Sequence, residues 1–283
     1  MVFRQFKIAC VQINPQPSFE SAIKEAQELM AKAVLEKAEF IFLPEYCGGL
    51  KSQSSRFVPP KEIEEKHLFL KYCRDFALKN DVWLLIGSIA IAGLGNKYYN
   101  RGYVINNGGD LVSRYDKINL FDVELADGGV YQESSTVIPG GKGVLVDTGF
   151  VKLGHTICYD LRFPTLYRCL AKEGAEILAI PSAFTKFTGE AHWHVLNRAR
   201  AIENTCYVIA PCSVGMIEGG GEAYGHSLIV DPWGTIIADG GTERGIITAS
   251  IDLDQVIDVR SRIPSLTNDR NFDFISMCES SVA

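Results

Sequence analysis

At 283 residues, with 47% hydrophobic and 22% charged side chains, the chain has the composition of a globular protein with a sizeable core. Its formal charge of -6 disfavours a nucleic-acid partner, because such binding draws on clustered Lys and Arg; a small molecule is the expected ligand. The N-terminal "MVFRQFKIACVQINPQ" lacks the basic-then-apolar pattern of a targeting leader, and no run approaches the roughly 18 apolar residues of a membrane span. A cytoplasmic protein with no membrane partner is the expectation.

In chain order, "FKIACVQI" predicts a short buried strand, "FESAIKEAQELMAKAVLEKA" an amphipathic helix and "EFIFLP" a second strand. The pattern continues with the helix "IEEKHLFLKYCRDFALKN", the strand "VWLLIGSIAI", and the strands "NRGYVIN" and "LVSRYDK" joined by a turn at Asn106 to Asp110. A strand "KLGHTIC", a helix "TLYRCLAKEG" stopped by Gly174 and a strand "EILAIP" follow. Next come a helix "HWHVLNRARAIENT", a strand "CYVIAP", and an apparent pair formed by "GHSLIVDPWGTIIADGG" and "RGIITASID". Alternating strands and helices predict α/β layers; two similar halves could pack as a four-layer α-β-β-α sandwich, which periodicity does not separate from a barrel. No linker composition divides residues 1–283, so one domain is expected, with the last dozen residues as a tail. The glycine-rich Gly215 to Gly225 reads as a mobile loop.

Cys10, Cys47, Cys73, Cys158, Cys169, Cys206, Cys212 and Cys278 include no CxxC pair, which excludes a close-paired zinc site and gives no disulfide framework. Most are expected to be reduced and buried. Cys158 differs by following an apolar strand directly, where α/β proteins gather functional groups. Glu45 ends the "EFIFLP" strand in the same way, and Lys117 follows the strand ending at Tyr115. Taken singly, these residues also fit a buried filler, an exposed loop charge and a surface lysine.

Together they compose a chemistry. A nucleophilic thiol needs a base or a cation to form its thiolate. His155 lies three residues before Cys158 and so on the opposite sheet face, and the other histidines form no Cys-His arrangement. A carboxylate in a closed pocket can act as base instead, and a lysine beside it can balance charge and donate to an oxyanion.

"LPEY", "YDKINLF" and "GHTICYDLRFP" resemble, in order, the Glu, Lys and Cys motifs of the nitrilase superfamily of carbon-nitrogen hydrolases, and the likeness runs from "FKIACVQINP" to "IDLDQV". The resemblance implies the four-layer αββα fold, Cys158 as nucleophile, Glu45 as general base and Lys117 as stabiliser of a tetrahedral intermediate, without metal or organic cofactor. It also implies a second glutamate, Glu133, positioning Lys117 or the substrate amide, and a homodimer. "CYDLRFP", "TGEAHWHVLNRARAIEN" and "YGHSLIVDPWGT" are most similar to the branch holding deaminated glutathione amidase and omega-amidase, which hydrolyse the terminal amide of an α-keto acid amide. Nitrilases, carbamoylases and aliphatic amidases share the triad.

Further expectations concern the pocket. The backbone N–H of Tyr159 would join Lys117 as an oxyanion donor. Arg162 could clamp a substrate carboxylate with its planar fork, or pair with Asp160. Phe184 and Thr185 would line the pocket, although Phe184 also fits a core position. His192 and Trp193, opening a helix, could wall it, and His226 and Trp233 would brace the second half. Two rival readings are a noncatalytic scaffold and a thiol-redox protein in which Cys47 resolves Cys158.

Overall fold

The computed structural model describes residues 4–53, 56–126 and 128–275; Cys278 and most of the C-terminal tail lie outside the described residues. In chain order the main elements are β1 (Gln5–Gln12), α1 (Phe19–Leu35), β2 (Phe40–Phe42), α2 (Leu68–Asn80), β3 (Trp83–Ala92), β4 (Tyr98–Ile105) and β5 (Leu111–Asp116). They continue with β6 (Val144–Asp147), β7 (Lys152–His155), α3 (Pro164–Lys172), β8 (Ile177–Ala179), α4 (Lys186–Asn204) and β9 (Tyr207–Ala210). The last are β10 (Leu228–Val230), β11 (Ile236–Asp239), β12 (Gly245–Asp252) and α5 (Asp254–Arg262).

Two sheets follow, in the orders β12-β1-β2-β3-β4-β5 and β6-β7-β8-β9-β10-β11. Each has a parallel centre made by two strand-helix-strand crossovers, then two antiparallel strands. Each also gains an antiparallel edge strand beside its first strand, β12 beside β1 and β6 beside β7.

Three apolar clusters fix the layers. Leu29, Met30, Phe69 and Ile86 fill the space between the first sheet and its helices; Leu170, Trp193, Ala201 and Val208 do the same for the second. Phe40, Phe42, Leu153 and Ile209 meet between the sheets. The result is the αββα sandwich, and it decides against the barrel that periodicity left open. Strands buried on both faces explain the continuous apolar runs.

Local chemistry sets the element ends. Ser18 caps α1 and exchanges hydrogen bonds with Ser21, while Ala22, Ala26, Leu29, Met30 and Ala33 form its buried stripe. Pro164 occupies the first turn of α3, where its missing N–H leaves no bond unmade.

Three expectations need correction. First, α4 begins at Lys186 rather than His192, so His192 and Trp193 lie within the helix. Gly189 looks like a breaker in sequence, but it lets Tyr224 pack against the helix: a Cβ there would stand 2.2 Å from Tyr224 Cγ. Second, β12 does not pair in the sheet of β10 and β11; it joins β1, with Gln5 opposite Asp252 and Gln12 opposite Gly245. Sequential strands pair often enough to suggest the local partner, and nothing local encodes one some 240 residues away. Third, the stretch from Gly215 to Gly225 belongs mostly to a hairpin, with Val214–Met216 paired to Glu222–Tyr224.

Candidate active site

β2, β5 and β7 deliver Glu45, Lys117 and Cys158 to one buried place. Glu45 and Lys117 are each 2% exposed and Cys158 is 8% exposed, so all three are removed from bulk water. Lys117 Nζ stands 2.9 Å from Glu45 Oε1, 2.9 Å from Glu133 Oε2 and 3.1 Å from Glu133 Oε1. The strand-end positions and Glu133 therefore converge.

Main-chain geometry holds each member. The bulge in β3 between Ile86 and Ile89 brings Ser88 under the Glu45 turn, where Ser88 Oγ accepts from Tyr46 N–H at 2.9 Å and Ser88 O from Cys47 N–H at 3.1 Å. Gly87 makes this approach possible: a Cβ would lie 2.3 Å from Leu43 O and 2.4 Å from Pro181 Cβ. Cys158 has φ 48°, a left-handed conformation that strains a non-glycine residue by about 1 kcal/mol or more. Its N–H donates to Pro181 O at 2.9 Å, which anchors the strained turn to the neighbouring strand end.

Four groups absent from the sequence reading complete the carboxylate shell. Asn100 Nδ2 donates to Glu45 Oε1 at 2.9 Å and to Glu133 Oε1 at 3.3 Å. Ala183 N–H donates to Glu45 Oε2 at 2.9 Å, Tyr46 OH to Glu133 Oε1 at 3.2 Å and Phe121 N–H to Glu133 Oε2 at 2.7 Å. The polar Asn100 inside β4 was a sequence signal for one of them. Backbone donors such as Ala183 leave none.

Electrostatics follow from burial. Burial, reinforced by the negative charge of Glu45 and opposed by Lys117, holds the Cys158 thiol well above its usual range. Burial pulls the Lys117 ammonium down, but the charges of Glu133 and Glu45 outweigh it and hold it well above the ordinary lysine range. The resting site thus holds a neutral thiol beside a fixed cation and carboxylates, an arrangement able to move the thiol proton only as a new bond forms.

The cavity in front of Cys158 measures about 20 Å³ and is lined by Glu45, Lys117, Cys158, Tyr159 and Ala183, with Phe57, Phe121, Phe184, Thr185 and Thr188 around them. Tyr159, Phe184 and Thr185 are therefore at the pocket, and Trp193 packs behind Phe184 with ring centroids 5.0 Å apart. Arg162 does not line the cavity; it lies over the rings of Phe184 and Tyr159, with both terminal nitrogens 3.3 Å from His192 Nδ1. It is not paired with Asp160, whose carboxylate instead takes Tyr115 OH, Ile157 N–H and both donors of Asn119.

Other residues fall elsewhere. His155 is fully buried against Tyr115, and burial pushes its imidazole down to about 3, so it stays neutral and outside the cavity. Cys47 belongs to the core beneath α1 and α2, whereas Cys158 belongs to the core beneath α3 and α4, which removes the proposed resolving partner. All seven described cysteines are free and Cys169 alone of them is exposed. Trp233 is 56% exposed, while His226 holds Trp193 Nε1 through its carbonyl at 2.7 Å.

Two back-to-back sheets thus gather a thiol, an ammonium and two carboxylates at their strand ends. The chain belongs to the carbon-nitrogen hydrolase family, whose model matches residues 7–261. It is 40% identical over 267 residues to the deaminated glutathione amidase of Synechocystis, covering 93% of this chain and 97% of the relative. It is 34% identical over 282 residues to omega-amidase NIT3 of Saccharomyces cerevisiae, covering 96% of each. Among solved structures, S. cerevisiae Nit3 superposes with TM-score 0.82 at 32% identity, over 95% of this chain and 97% of that one. The C. elegans NitFhit protein gives TM-score 0.86 at 32% identity, this chain spanning 66% of that longer one.

Proposed function

We propose that the chain is a cysteine amidase that releases ammonia from the terminal amide of a small carboxylated substrate, most closely deaminated glutathione or a related α-keto acid amide. The observation that carries this reading is the Lys117 ammonium held between Glu45 and Glu133 in the cavity that contains Cys158. The similar Synechocystis and yeast proteins are named for amide hydrolysis, which supports the substrate class.

In the first half-reaction, Cys158 Sγ bonds to the amide carbon while its proton passes to Glu45. Lys117 and the Tyr159 N–H receive the oxyanion. The carbon-nitrogen bond then breaks, and Glu45 returns the proton to the departing ammonia. In the second half-reaction Glu45 takes a proton from water as the water oxygen attacks the thioester, and collapse frees the carboxylic acid product and restores the thiol. Glu133 keeps Lys117 charged and aimed. This chemistry needs no metal or organic cofactor.

The space around the cavity favours a substrate with a tail. Beyond Thr185 opens a groove of about 360 Å³ lined by Tyr131, Lys186, Phe187 and Glu190. Arg162 at the Tyr159 and Phe184 rim is the proposed carboxylate clamp. The whole chain acts as one cytoplasmic domain, paired as a homodimer through the exposed Val195 and Ile202 of α4 and the exposed Phe272, Phe274 and Ile275.

Ammonia release from deaminated glutathione, 2-oxoglutaramate, an aliphatic amide, a nitrile and an N-carbamoyl amino acid tests the proposal. The keto acid amides are expected to give the highest kcat/KM. Faster turnover of the nitrile or the carbamoyl compound would overturn the substrate assignment.

A further inference from the structure

Outside the catalytic cavity, two imidazoles and a carboxylate from three separate elements meet: His194 on α4, His226 before β10 and Asp239 at the end of β11. One ligating atom from each lies within 4.8 Å of the others. Asp239 Oδ2 accepts from His194 Nε2 at 3.0 Å, and Oδ1 from His226 Nδ1 at 2.9 Å.

The backbone is arranged to make this meeting. His226 has φ 51°, a left-handed conformation disfavoured for any residue with a Cβ. Its N–H donates to Gly241 O at 2.7 Å, its carbonyl accepts from Trp193 Nε1 at 2.7 Å, and its ring stacks on Tyr224 at 4.7 Å. Gly241 N–H donates to Asp239 Oδ1 at 2.8 Å, an outer hydrogen bond of the kind that orients a ligating carboxylate. Asp239 is exposed and both imidazoles are half-buried, so a fourth position opens to solvent.

We propose that His194, His226 and Asp239 form a binding site for one divalent transition-metal ion such as Zn²⁺, completed by water. Imidazole and carboxylate donors suit zinc, cobalt, nickel or copper, whereas calcium and magnesium favour oxygen-rich sets. Bond lengths of about 2.0–2.2 Å require the three donors to close in around the ion, a short movement for side chains at a surface. Each ring presents its lone pair to the ion by carrying its proton on the far nitrogen. The bound ion clips α4 to the β10–β11 hairpin. Tyr224, stacked on His226, donates its N–H to Phe184 O at 2.9 Å, so the clip lies one residue behind the pocket wall.

Zinc can also bind thiolates, so the test starts from full-length Cys158→Ala protein, stripped with chelator and titrated with ZnCl₂ by calorimetry. The expected result is saturable binding of one ion per chain, weakened about tenfold or more by His194→Gln and by Asp239→Asn. In the chain with Cys158 intact, zinc should raise Tm by a few degrees, whereas a His194→Gln variant of that chain should show no such rise and still release ammonia. Absence of saturable binding below about 1 mM, or binding that His194→Gln and Asp239→Asn both leave intact because cysteines hold the ion, would overturn the site. Neither result bears on the amidase reading.

Discussion

Asp160 Oδ2 accepts the Tyr115 hydroxyl at 2.6 Å, joining the strand that carries the lysine to the turn that carries the cysteine. The same carboxylate takes Ile157 N–H at 2.9 Å, Asn119 N–H at 2.9 Å and Asn119 Nδ2 at 2.8 Å. Four donors on two oxygens leave no room for an amide NH₂. Asp160→Asn should therefore place donor against donor, lowering stability by about 1–3 kcal/mol and kcat by at least about tenfold. Thermal unfolding and kcat measured together check this, and an unchanged kcat would show that the link does not position the site.

Glu133→Gln removes one of the two negative charges against Lys117 while keeping a similar shape. The expected outcome is a fall in kcat on the order of 10²-fold with little change in KM, because the loss falls on oxyanion stabilisation. A rise in KM alone would assign Glu133 to substrate binding instead.

Arg162 has aromatic faces and a histidine nitrogen for company rather than Asp160. Arg162→Ala should raise KM for carboxylated amides by about tenfold or more and leave a neutral aliphatic amide nearly unaffected. Equal effects on both substrates would point to lost packing against Phe184.

Buried thiols should make the fold alkali-sensitive. Burial pushes Cys47 and Cys212 up to about 12, and pushes Cys206 up to about 11 against the pull of Arg260, from ordinary values near 9.0. In the unfolded chain these thiols ionise first, so above pH ~9 the unfolded state holds fewer protons than the native one and stability falls as pH rises. The contribution is fully present below pH ~9 and is lost as pH rises through the native values, at roughly 1 kcal/mol per thiol per pH unit. Urea midpoints at pH 8 and 10 measure the loss, and Cys47→Ala should reduce the slope. An equal slope in that variant would count against the assignment.

The sequence disclosed the residues that end strand patterns. Glu45 and Cys158 each follow an apolar run, Lys117 follows the strand ending at Tyr115, and the absence of a suitably placed histidine left a carboxylate as the candidate base. Asn100 was harder to see because it lies inside a strand, and its role depends on Glu45 and Glu133 arriving from other strands. Ala183 acts through its N–H, a group every non-proline residue owns. Long-range pairing hid β12, and Tyr224 turned an apparent helix breaker, Gly189, into a packing requirement. Local chemistry thus identified the parts, and burial decided which of them met.

The most direct measurement is mass spectrometry of protein quenched during turnover of a slowly hydrolysed amide or its ester. The expected result is an acyl adduct on the peptide bearing Cys158, with neither adduct nor ammonia release in a folded Cys158→Ala variant. Sustained ammonia release by Cys158→Ala, or an adduct on another residue, would contradict it.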